Sequence, residues 1–458
     1  MQASNVFSGI DTIKILKRSV EPIRPISPKK RFNLWVIFLI CLGLVNIFFW
    51  GLKGAGVLKA KLDVFNLFKD GKYLVLFQNN TEMRPSGGFI GSFAVVEFFD
   101  YKIKKIDFNT NIYKLDNPFT AAHTVIPPEP LAVANGGKWA LRDSNFAVDF
   151  PEAAQKVEWF YGQETGDKVD GVVAINASVI QDLLKITGPI FLENYNAQIS
   201  SENFFTELAT KIEKEYFYDQ KNWLENEPKS ILKDLMPVLL DRAFTSSKIE
   251  VTKLLYKELA QKQVLFFSHD SKIQQSLENE NWAGKVRETP SDYLAINNAN
   301  INNDPSNKNV GAKSSLNIKE TIDYKVNTVN GVMMGGLTLT RSHTGTYNWP
   351  DGMNTNWTRV LVPYGSELKV AELNGQDILN NVKIDSEAGK TTFGLWILTE
   401  PQTSNVLRLT YQLPVNVKPV NYSLLVQKQP GNLGDDLVAS LNNRILFQGI
   451  LKSDKLIK

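Results

Sequence analysis

An uncharged apolar run near the start of the chain sets the strongest limit on its fold. The residues Phe32–Leu52 contain no charged side chain. As a helix rising about 1.5 Å per residue, this run reaches ~31 Å, close to the thickness of a bilayer's hydrocarbon core. A buried core helix would show a polar stripe, whereas this run has only Asn33 and Asn46. We therefore predict one transmembrane helix over residues 32–52.

The charges beside the run predict its orientation. Residues 1–31 contain seven lysines or arginines and two acids, and three of the basic residues directly precede the run. Because basic flanks stay inside, we expect a cytoplasmic basic tail over 1–31 and a single pass through the plasma membrane. The C-terminal bulk would then be extracytoplasmic. A cleavable signal peptide is the alternative: the run is long for one, but Gly54-Ala55-Gly56 would permit cleavage.

The overall charge gives no reason to expect nucleic acid as a partner. The whole chain carries +3, and the tail accounts for more than this, so the residues after it are slightly acidic. The single cysteine, Cys41, lies in the apolar run, so we expect no disulfides in the exported part.

Two textures of sequence predict two exported domains. Apolar strands at 73–78 and 89–99 alternate with helical patterns near 201–218, 229–244 and 248–262. This alternation predicts an α/β domain with a mixed sheet and flanking helices over 57–288. Short alternating strands separated by Gly and Asn turns predict an antiparallel β-sandwich over 289–458.

Two stretches contain too few apolar residues, or too many prolines, to suggest a regular element. Residues 115–140 contain several prolines and glycines and predict a long loop. The asparagine-rich stretch from Asn297 to Asn309 predicts an exposed loop. We assign Asn300 and Lys313, at the boundary between the domains, to a solvated loop; the alternative is that they reach the cleft.

The densest group of polar and glycine residues lies between the first two predicted strands. It runs from Gln78 to Ser92 (QNNTEMRPSGGFIGS). Adjacent glycines let backbone amides approach a ligand, and an arginine can bind a phosphate at two points. We predict Arg84 as a phosphate-binding catalytic residue and Glu82 as a metal ligand. The other predicted ligand-binding residues are Asn79, Asn80, Ser86, Gly87 and Gly88. The alternative is a tight connection in which Glu82 and Arg84 pair with each other.

A second polar cluster precedes the helix predicted after residue 149. Arg142 and Asp143 are predicted as catalytic residues, Asp143 also as a metal ligand, and Asn145 as a ligand-binding residue. An arginine and acids near a helix N-terminus suit anion or metal binding.

The first cluster resembles the hallmark of a bacterial membrane-anchored family of unknown function, N-x-x-E-x-R-P-x-G-G-F-I-G-S. The order of pieces also resembles the LytR-CpsA-Psr family: span, buried strand, arginine-containing loop, second strand, and a strand of the type Val169–Ile175 (VDGVVAI). That family transfers glycopolymers from a polyprenyl-diphosphate carrier to the cell wall. Asn79 and Asn80 stand where its pattern has a metal-binding aspartate.

The resemblance implies a LytR-CpsA-Psr-like α/β fold and an envelope function. Arg84 and Arg142 would bind the diphosphate, and Glu82 and Asp143 would bind Mg²⁺. The expected partners are a membrane lipid or polyprenyl-diphosphate glycan and a cell-wall polymer, and the expected function is binding or transfer of that glycan. The alternative is a non-catalytic surface module for adhesion or envelope assembly.

Overall fold

The computed structural model describes residues 64, 66–133, 137–301 and 313–458 of the chain. The predicted cytoplasmic tail and transmembrane helix lie outside these residues. None of the helices within the described ranges is long and apolar enough to cross a membrane.

The first half of the described chain contains a five-stranded mixed sheet. In chain order the strands of this half are β1 (Gly71–Arg84), β2 (Gly87–Phe99), β3 (Lys102–Asn109), β4 (Gly171–Asn176), β5 (Ile190–Leu192), β6 (Ala197–Ile199) and β7 (Val264–Ser268). The sheet has the order β3-β2-β1-β4-β7, and β5 pairs with β6 separately. Strand β1 runs parallel to β4, and the other neighbours are antiparallel. Apolar side chains cover both faces of its central strands, so the sheet lies between two hydrophobic cores.

Helices cover this sheet and extend beyond it. They are α1 (Tyr113–Ala122), α2 (Glu129–Ala132), α3 (Phe150–Thr165), α4 (Ala177–Thr187), α5 (Phe204–Ala209), α6 (Gln220–Glu225), α7 (Ser230–Thr245), α8 (Lys248–Ala260) and α9 (Ser271–Asn279). The helices predicted near 229–244 and 248–262 are confirmed as α7 and α8. The loop predicted over 115–140 is wrong, because that range contains most of α1 and all of α2. Pro130 lies in the first turn of α2, where a proline's missing N–H costs nothing.

The second half consists mainly of two packed sheets. Its strands are β8 (Asp292–Asn300), β9 (Ile318–Val329), β10 (Val332–His343), β11 (Asn354–Pro363), β12 (Glu367–Leu373), β13 (Gln376–Asp377), β14 (Lys383–Glu387), β15 (Lys390–Thr399), β16 (Ser404–Gln412), β17 (Leu424–Val426), β18 (Asp435–Leu441), β19 (Arg444–Leu451) and β20 (Lys455–Ile457). One sheet has the order β13-β12-β16-β10-β9-β18-β19 and the other β14-β15-β11-β8-β17-β20. Residues of both sheets share one hydrophobic core. The pairing is antiparallel except that β17 is parallel to β8 and β18 to β9.

The asparagine-rich stretch was predicted to be an exposed loop, and its first part is instead buried strand. All nine residues of β8 are buried. Its asparagines are satisfied by specific partners: Asn297 donates to the carbonyl of Pro85 at 2.8 Å, and Asn298 donates to the carboxylate of Glu320 at 3.1 Å. A buried asparagine is tolerated when its amide is hydrogen-bonded, and such partners are distant in sequence. Residues 302–312 lie outside the described ranges.

Strand β8 brings the sandwich against the end of β1. Arg84 donates from Nη1 to the carbonyl of Asn300 at 2.7 Å, and Gln429 donates from Nε2 to the carbonyl of Arg84 at 3.0 Å. The predicted division of the chain at residue 288 stays a prediction, but these bonds place the Gln78–Ser92 motif at the junction of the two halves.

Candidate functional site

The Gln78–Ser92 motif is a β-hairpin rather than a loop between strands. Strand β1 continues to Arg84, the turn is Pro85-Ser86, and β2 begins at Gly87. The register shifts between Asn79 and Met83, so the strands bulge at this point. A side chain at Gly88 would collide with the backbone of Asn79, so glycine there permits the close approach of the two strands.

The polar residues of the motif bind mainly to other parts of the protein. Asn80 donates to the carbonyl of Gly431 at 3.0 Å, and Ser86 donates to the carbonyl of Asn145 at 3.0 Å. Asn145 in turn donates to the carbonyl of Gly88 at 2.8 Å. Asn80, Ser86 and Asn145 are fully buried. The structure therefore brings Ser86 and Asn145 together and places Asn80 against Gly431, and each of these side chains donates to a backbone carbonyl. Among the described residues, Oδ1 of Asn145 is buried without a hydrogen-bond partner.

The two predicted arginines belong to a buried row of alternating charges. Arg84 donates from Nε to Oδ1 of Asp143 at 3.0 Å, and Nε of Arg142 lies 3.6 Å from Oδ2 of the same carboxylate. Arg142 also donates from Nη1 to Oδ2 of Asp116 at 2.9 Å. Arg84 and Asp143 are buried, and the guanidinium of Arg84 lies 5.2 Å from the ring centre of Phe89. We call Arg84, Asp143, Arg142 and Asp116 the inner row.

The inner row ends at a pair of acids, Asp116 and Glu164. Burial raises the pKa of Glu164 to about 8, with a further increase from the neighbouring charge of Asp116. Burial also raises the pKa of Asp116. Among the residues that the structure describes, no donor bonds to the buried Oδ1 of Asp116 or Oε2 of Glu164. A proton shared between the two carboxyl groups would satisfy both oxygens and balance the row.

A large apolar cavity borders the hairpin, and two of its lining residues, Phe89 and Tyr113, lie against Arg84 and Arg142. Its volume is about 530 Å³, within the usual range for small-molecule sites. Residues of strands β1, β2, β3 and β4 line the cavity, as do residues of helices α4, α5 and α7. The apolar side chains lining it are Phe77, Phe89, Phe108, Ile175, Ile180, Phe204, Phe205, Leu208, Ile212, Phe217, Leu232 and Met236.

Four charged groups lie at one end of this cavity. Nζ of Lys313 is 2.7 Å from Oε1 of Glu82 and 2.5 Å from Oε1 of Glu213. Although burial opposes ionisation, Lys313 and then Arg84 hold the pKa of Glu82 below its usual value. Asn79 donates to Glu82 at 3.2 Å. We call Glu82, Lys229, Glu213 and Lys313 the mouth cluster.

Lys229 differs from the other members of the mouth cluster. Its ammonium group donates to the carbonyl of Gly91. Within the described part of the chain, it forms no ion pair with a carboxylate. Burial lowers its pKa to about 8. Lys229 also immediately precedes α7, whose N-terminus adds positive potential at the same place.

The prediction from sequence therefore included Asn79 and Glu82 of the cavity end, but not its lysines. Lys313 was assigned to a solvated loop, yet it is half-buried between two carboxylates. Lys229 has no sequence motif around it. Its only local signal is a position directly before a helical pattern that contains apolar residues at helical spacing.

The residues predicted to hold Mg²⁺ do not form a preformed site. Glu82 is paired with Lys313, and Asp143 lies between two arginines. Among the described residues, no group of three or more histidine, cysteine or acidic residues is arranged to hold a metal ion. Hard cations prefer several oxygen ligands that are not already neutralised by a cation, so we derive no chemical step through Mg²⁺.

Comparisons with solved structures give only distant similarity. A putative nutrient binding protein from Legionella pneumophila subsp. pneumophila str. Philadelphia 1 is 11% identical, over 27% of this chain and 49% of that chain, with a TM-score of 0.20. A mutant M1 zinc metallopeptidase from Deinococcus radiodurans is 16% identical, over 25% of this chain and 33% of that chain, with a TM-score of 0.14. The chain thus spans less than half the length of either protein, and TM-scores this low carry no argument about fold or activity.

No curated protein matches the chain. A family model does match the part that contains four of the five strands of the first sheet, the Gln78–Ser92 hairpin and the whole inner row. Residues 69–212 match the family described as "Protein of unknown function (DUF4012)", which supports a relation between this part of the chain and an uncharacterised family.

Proposed function

We propose that the protein is a membrane-anchored envelope protein that binds a polyprenyl-diphosphate-linked glycan just outside the membrane. The isoprenoid chain would occupy the apolar cavity, and the phosphates would lie at the mouth cluster. The single observation that carries the proposal is an apolar cavity of about 530 Å³ that ends at Lys229, a lysine without a carboxylate partner among the described residues.

The chemistry of the cavity supports an amphiphilic anion over other ligands. A sugar or nucleotide alone would leave a wall of phenylalanine and aliphatic side chains exposed to water. A neutral lipid would leave the ammonium of Lys229 without a counterion in a partly desolvated place. A lipid phosphate satisfies both ends at once, because its chain buries apolar surface and its head group meets the lysines and the N-terminus of α7.

The anchoring and the family resemblance are part of the same proposal. The uncharged run at 32–52 supports a single-pass anchor with a cytoplasmic N-terminus. A mixed sheet whose arginine-containing hairpin borders an apolar cavity supports a LytR-CpsA-Psr-like domain. Partners would then be the lipid-linked glycan and, as its acceptor, a cell-wall polymer.

Transfer of the glycan requires more than the arrangement provides. A base would have to take the proton of the acceptor hydroxyl, and the candidates Glu82 and Asp143 are each held in ion pairs. We therefore restrict the proposal to binding. An incoming phosphate that displaces Glu82 from Lys313 would free the carboxylate of Glu82 next to the ligand. That carboxylate could then act as the base that transfer requires.

A titration of the full chain in detergent tests the proposal. The ligands are isopentenyl, geranyl and farnesyl diphosphate, with inorganic diphosphate as the chainless reference. A buried methylene contributes about 0.8 kcal/mol, so each added isoprene unit should tighten binding at least tenfold until the cavity is filled. The titration is repeated with Mg²⁺ and with a chelator, which measures any contribution of the ion.

Two tryptophan substitutions provide the matched test of location. Ile212→Trp fills the cavity and should weaken farnesyl diphosphate binding at least tenfold. Val238→Trp enlarges a half-buried side chain of α7 that does not line the cavity, and should bind like the parent. Equal affinity of all chain lengths, or normal binding by Ile212→Trp, would remove the cavity as the lipid site and leave the surface-module alternative.

A further inference from the structure

Exposed apolar side chains are concentrated in one short segment beside the cavity. They are Phe217, Tyr218, Trp223 and Leu224, with exposed fractions of 48%, 77%, 62% and 92%. Phe217 and Tyr218 lie in the 3₁₀ turn Glu215–Tyr218, and Trp223 and Leu224 lie in α6. We call these four residues the aromatic tip. Single exposed apolar residues are ordinary, but four within eight positions form a patch that water does not favour.

The aromatic tip is held in place by its own hydrogen bonds. Trp223 donates from Nε1 to the carbonyl of Phe217 at 2.9 Å, which links the two parts of the tip. Tyr216 is buried and donates to the carbonyl of Asn222 at 2.9 Å, and Asn222 donates back to the carbonyl of Tyr216 at 2.7 Å. The carboxylate of Asp219 caps α6 by accepting from the amide of Lys221. These bonds fix the backbone of the segment, and the four apolar side chains face solvent beside the exposed Asp219 and Lys221.

The aromatic tip is continuous with the rim of the cavity. Phe217 lines the cavity itself, as do Asn226 and Pro228, which follow α6. A ligand entering at the mouth cluster therefore passes beside this segment. Whatever covers the tip also covers the approach to the cavity.

We propose that the aromatic tip inserts into the interfacial layer of a lipid bilayer, so that the cavity opens directly onto the membrane that holds its ligand. Tryptophan and tyrosine favour this layer because each combines an apolar ring with a polar group. The inference deepens the proposed function by naming the surface from which the lipid enters.

The charges around the tip indicate how it would be held. Between residues 211 and 227 there are three lysines and five acidic residues. Attraction to anionic head groups is therefore not the driving force, and the insertion should rest on burial of apolar surface. It should accordingly occur on zwitterionic lipid and persist at high salt.

The length of chain before the described residues permits this placement. The cavity is lined from Phe77 onward, near the end of β1 that is remote from Val64. The seven steps from Gly71 to Gln78 span about 23 Å at ~3.3 Å per residue. The twelve steps from Leu52 to Val64 reach at most about 40 Å. A span over 32–52 would therefore leave enough chain for the tip to reach the same bilayer.

A fluorescent probe on the full chain in nanodiscs tests the insertion. In a Cys41→Ser background, Leu224→Cys carries an environment-sensitive fluorophore, and the discs contain phosphatidylcholine without any polyprenyl lipid. The matched control is Val420→Cys, which is 78% exposed and precedes β17, whose strand pairs with the end of β8 remote from Asn300. The probe at 224 should shift to the blue and be quenched by lipids with brominated chains, while the probe at 420 reports water.

The outcomes separate a bilayer from other coverings of the tip. A blue shift at 224 without quenching by brominated lipid would mean that protein, including a second copy, covers the tip, and would overturn the inference. A probe at 224 that reports water, like that at 420, would also overturn it. Because these discs lack the ligand, the result does not depend on whether the cavity binds diphosphates.

A double variant then tests the functional consequence. Trp223→Ser with Leu224→Ser should slow the uptake of a fluorescent polyprenyl phosphate from vesicles at least tenfold, and leave its affinity in detergent unchanged. Val420→Ser should affect neither quantity. Normal uptake by the double variant would contradict entry through the tip. A parent protein that does not bind polyprenyl phosphate in detergent would contradict only the proposed function.

Discussion

The inner row and the mouth cluster both border the same hairpin, and they use charge differently. In the inner row, Asp143 has a guanidinium group near each of its carboxylate oxygens, and Arg84 adds a bond to the backbone of the sandwich. In the mouth cluster, Lys313 is shared by two carboxylates while Lys229 has none among the described residues. The charges of the inner row pair with one another, whereas the mouth cluster lies at a cavity and includes a lysine without a described carboxylate partner.

This difference indicates that the inner row stabilises the fold, whereas the mouth cluster is available to bind a ligand. A buried charge that loses its partner is costly, so the inner row holds the hairpin, the turn at Leu141–Asp143 and β8 in one arrangement. A cation next to an apolar cavity without a carboxylate partner is instead suited to an incoming anion. Arg84 of the motif and Arg142 of the second polar cluster therefore support the site. Lys229 and Lys313, which lie outside the motif, line the cavity.

The largest effect should follow from breaking the inner row. Arg84→Met removes the buried ion pair with Asp143 and the bond to Asn300, so the free energy of unfolding should fall by about 3–5 kcal/mol. Urea unfolding of the full chain in detergent measures it. The control is Arg408→Met, an exposed arginine whose loss should change stability by about 0.5 kcal/mol or less.

A stable Arg84→Met variant that no longer binds farnesyl diphosphate would reverse the comparison. Arg84 would then be the ligand-binding arginine that the sequence motif predicts, and its pair with Asp143 would be a resting arrangement. A variant that is unstable but retains affinity in the fraction that folds would confirm its supporting role.

A smaller effect, and a different one, should follow at the mouth cluster. Lys229→Met removes a charge-assisted contact, so farnesyl diphosphate binding should weaken by about 1.5–3 kcal/mol while stability is retained. Affinity should also fall as pH rises above about 8, because burial lowers the pKa of Lys229 to about 8 and the neutral amine attracts an anion less. Lys229→Arg should remove that decline, since arginine stays charged.

The nearby Lys233 supplies the control for this prediction. It also lines the cavity but is exposed, so Lys233→Met should weaken binding less than Lys229→Met does. Equal losses for the two variants would mean that general positive charge, rather than the position of Lys229, holds the ligand.

These two regions also show what the sequence can and cannot predict. Alternating apolar residues and 3.6-residue periodicity predicted most of the sheet, the sandwich strands and helices α7 and α8, because these patterns depend on local geometry. Arg84 and Asp143 were both singled out, but their pairing across 59 positions was not, because partners of charges are fixed by tertiary packing.

The residues missed by sequence reasoning share one physical cause. Strand β8 was obscured by asparagines whose partners lie on other strands and turns, and Lys313 acquires its role from Glu82, which is 231 positions away. Lys229 lies beside the hairpin because α7 packs over the cavity. A polar residue far from its partner carries no local signal of whether it faces water or a site.

The smallest effect should come from the protonated end of the inner row, and it depends on pH. The pKa of Glu164 is raised from 4.5 to about 8 by burial and by Asp116, so between these values the folded state binds a proton that the unfolded state has released. The contribution of Glu164 to stability should therefore be fully present below about pH 4.5 and fall as pH rises toward 8, with a slope of up to about 1.4 kcal/mol per pH unit. Glu164→Gln keeps a neutral hydrogen-bonding group at the position and should flatten this part of the curve. The pKa values of Glu158 and Glu258 are also raised to about 7, largely by burial, so the difference between Glu164→Gln and the parent is the quantity to measure. The exposed Glu250→Gln should follow the parent curve.

If Glu164→Gln also follows it, the acids do not share a proton and the inner row carries a net negative charge at its end. Since Arg142 joins that end to Asp143, a net negative row would weaken the positive potential near Lys229. The same measurement therefore tests whether the inner row is electrically balanced, so that it does not weaken the attraction of Lys229 for an anion.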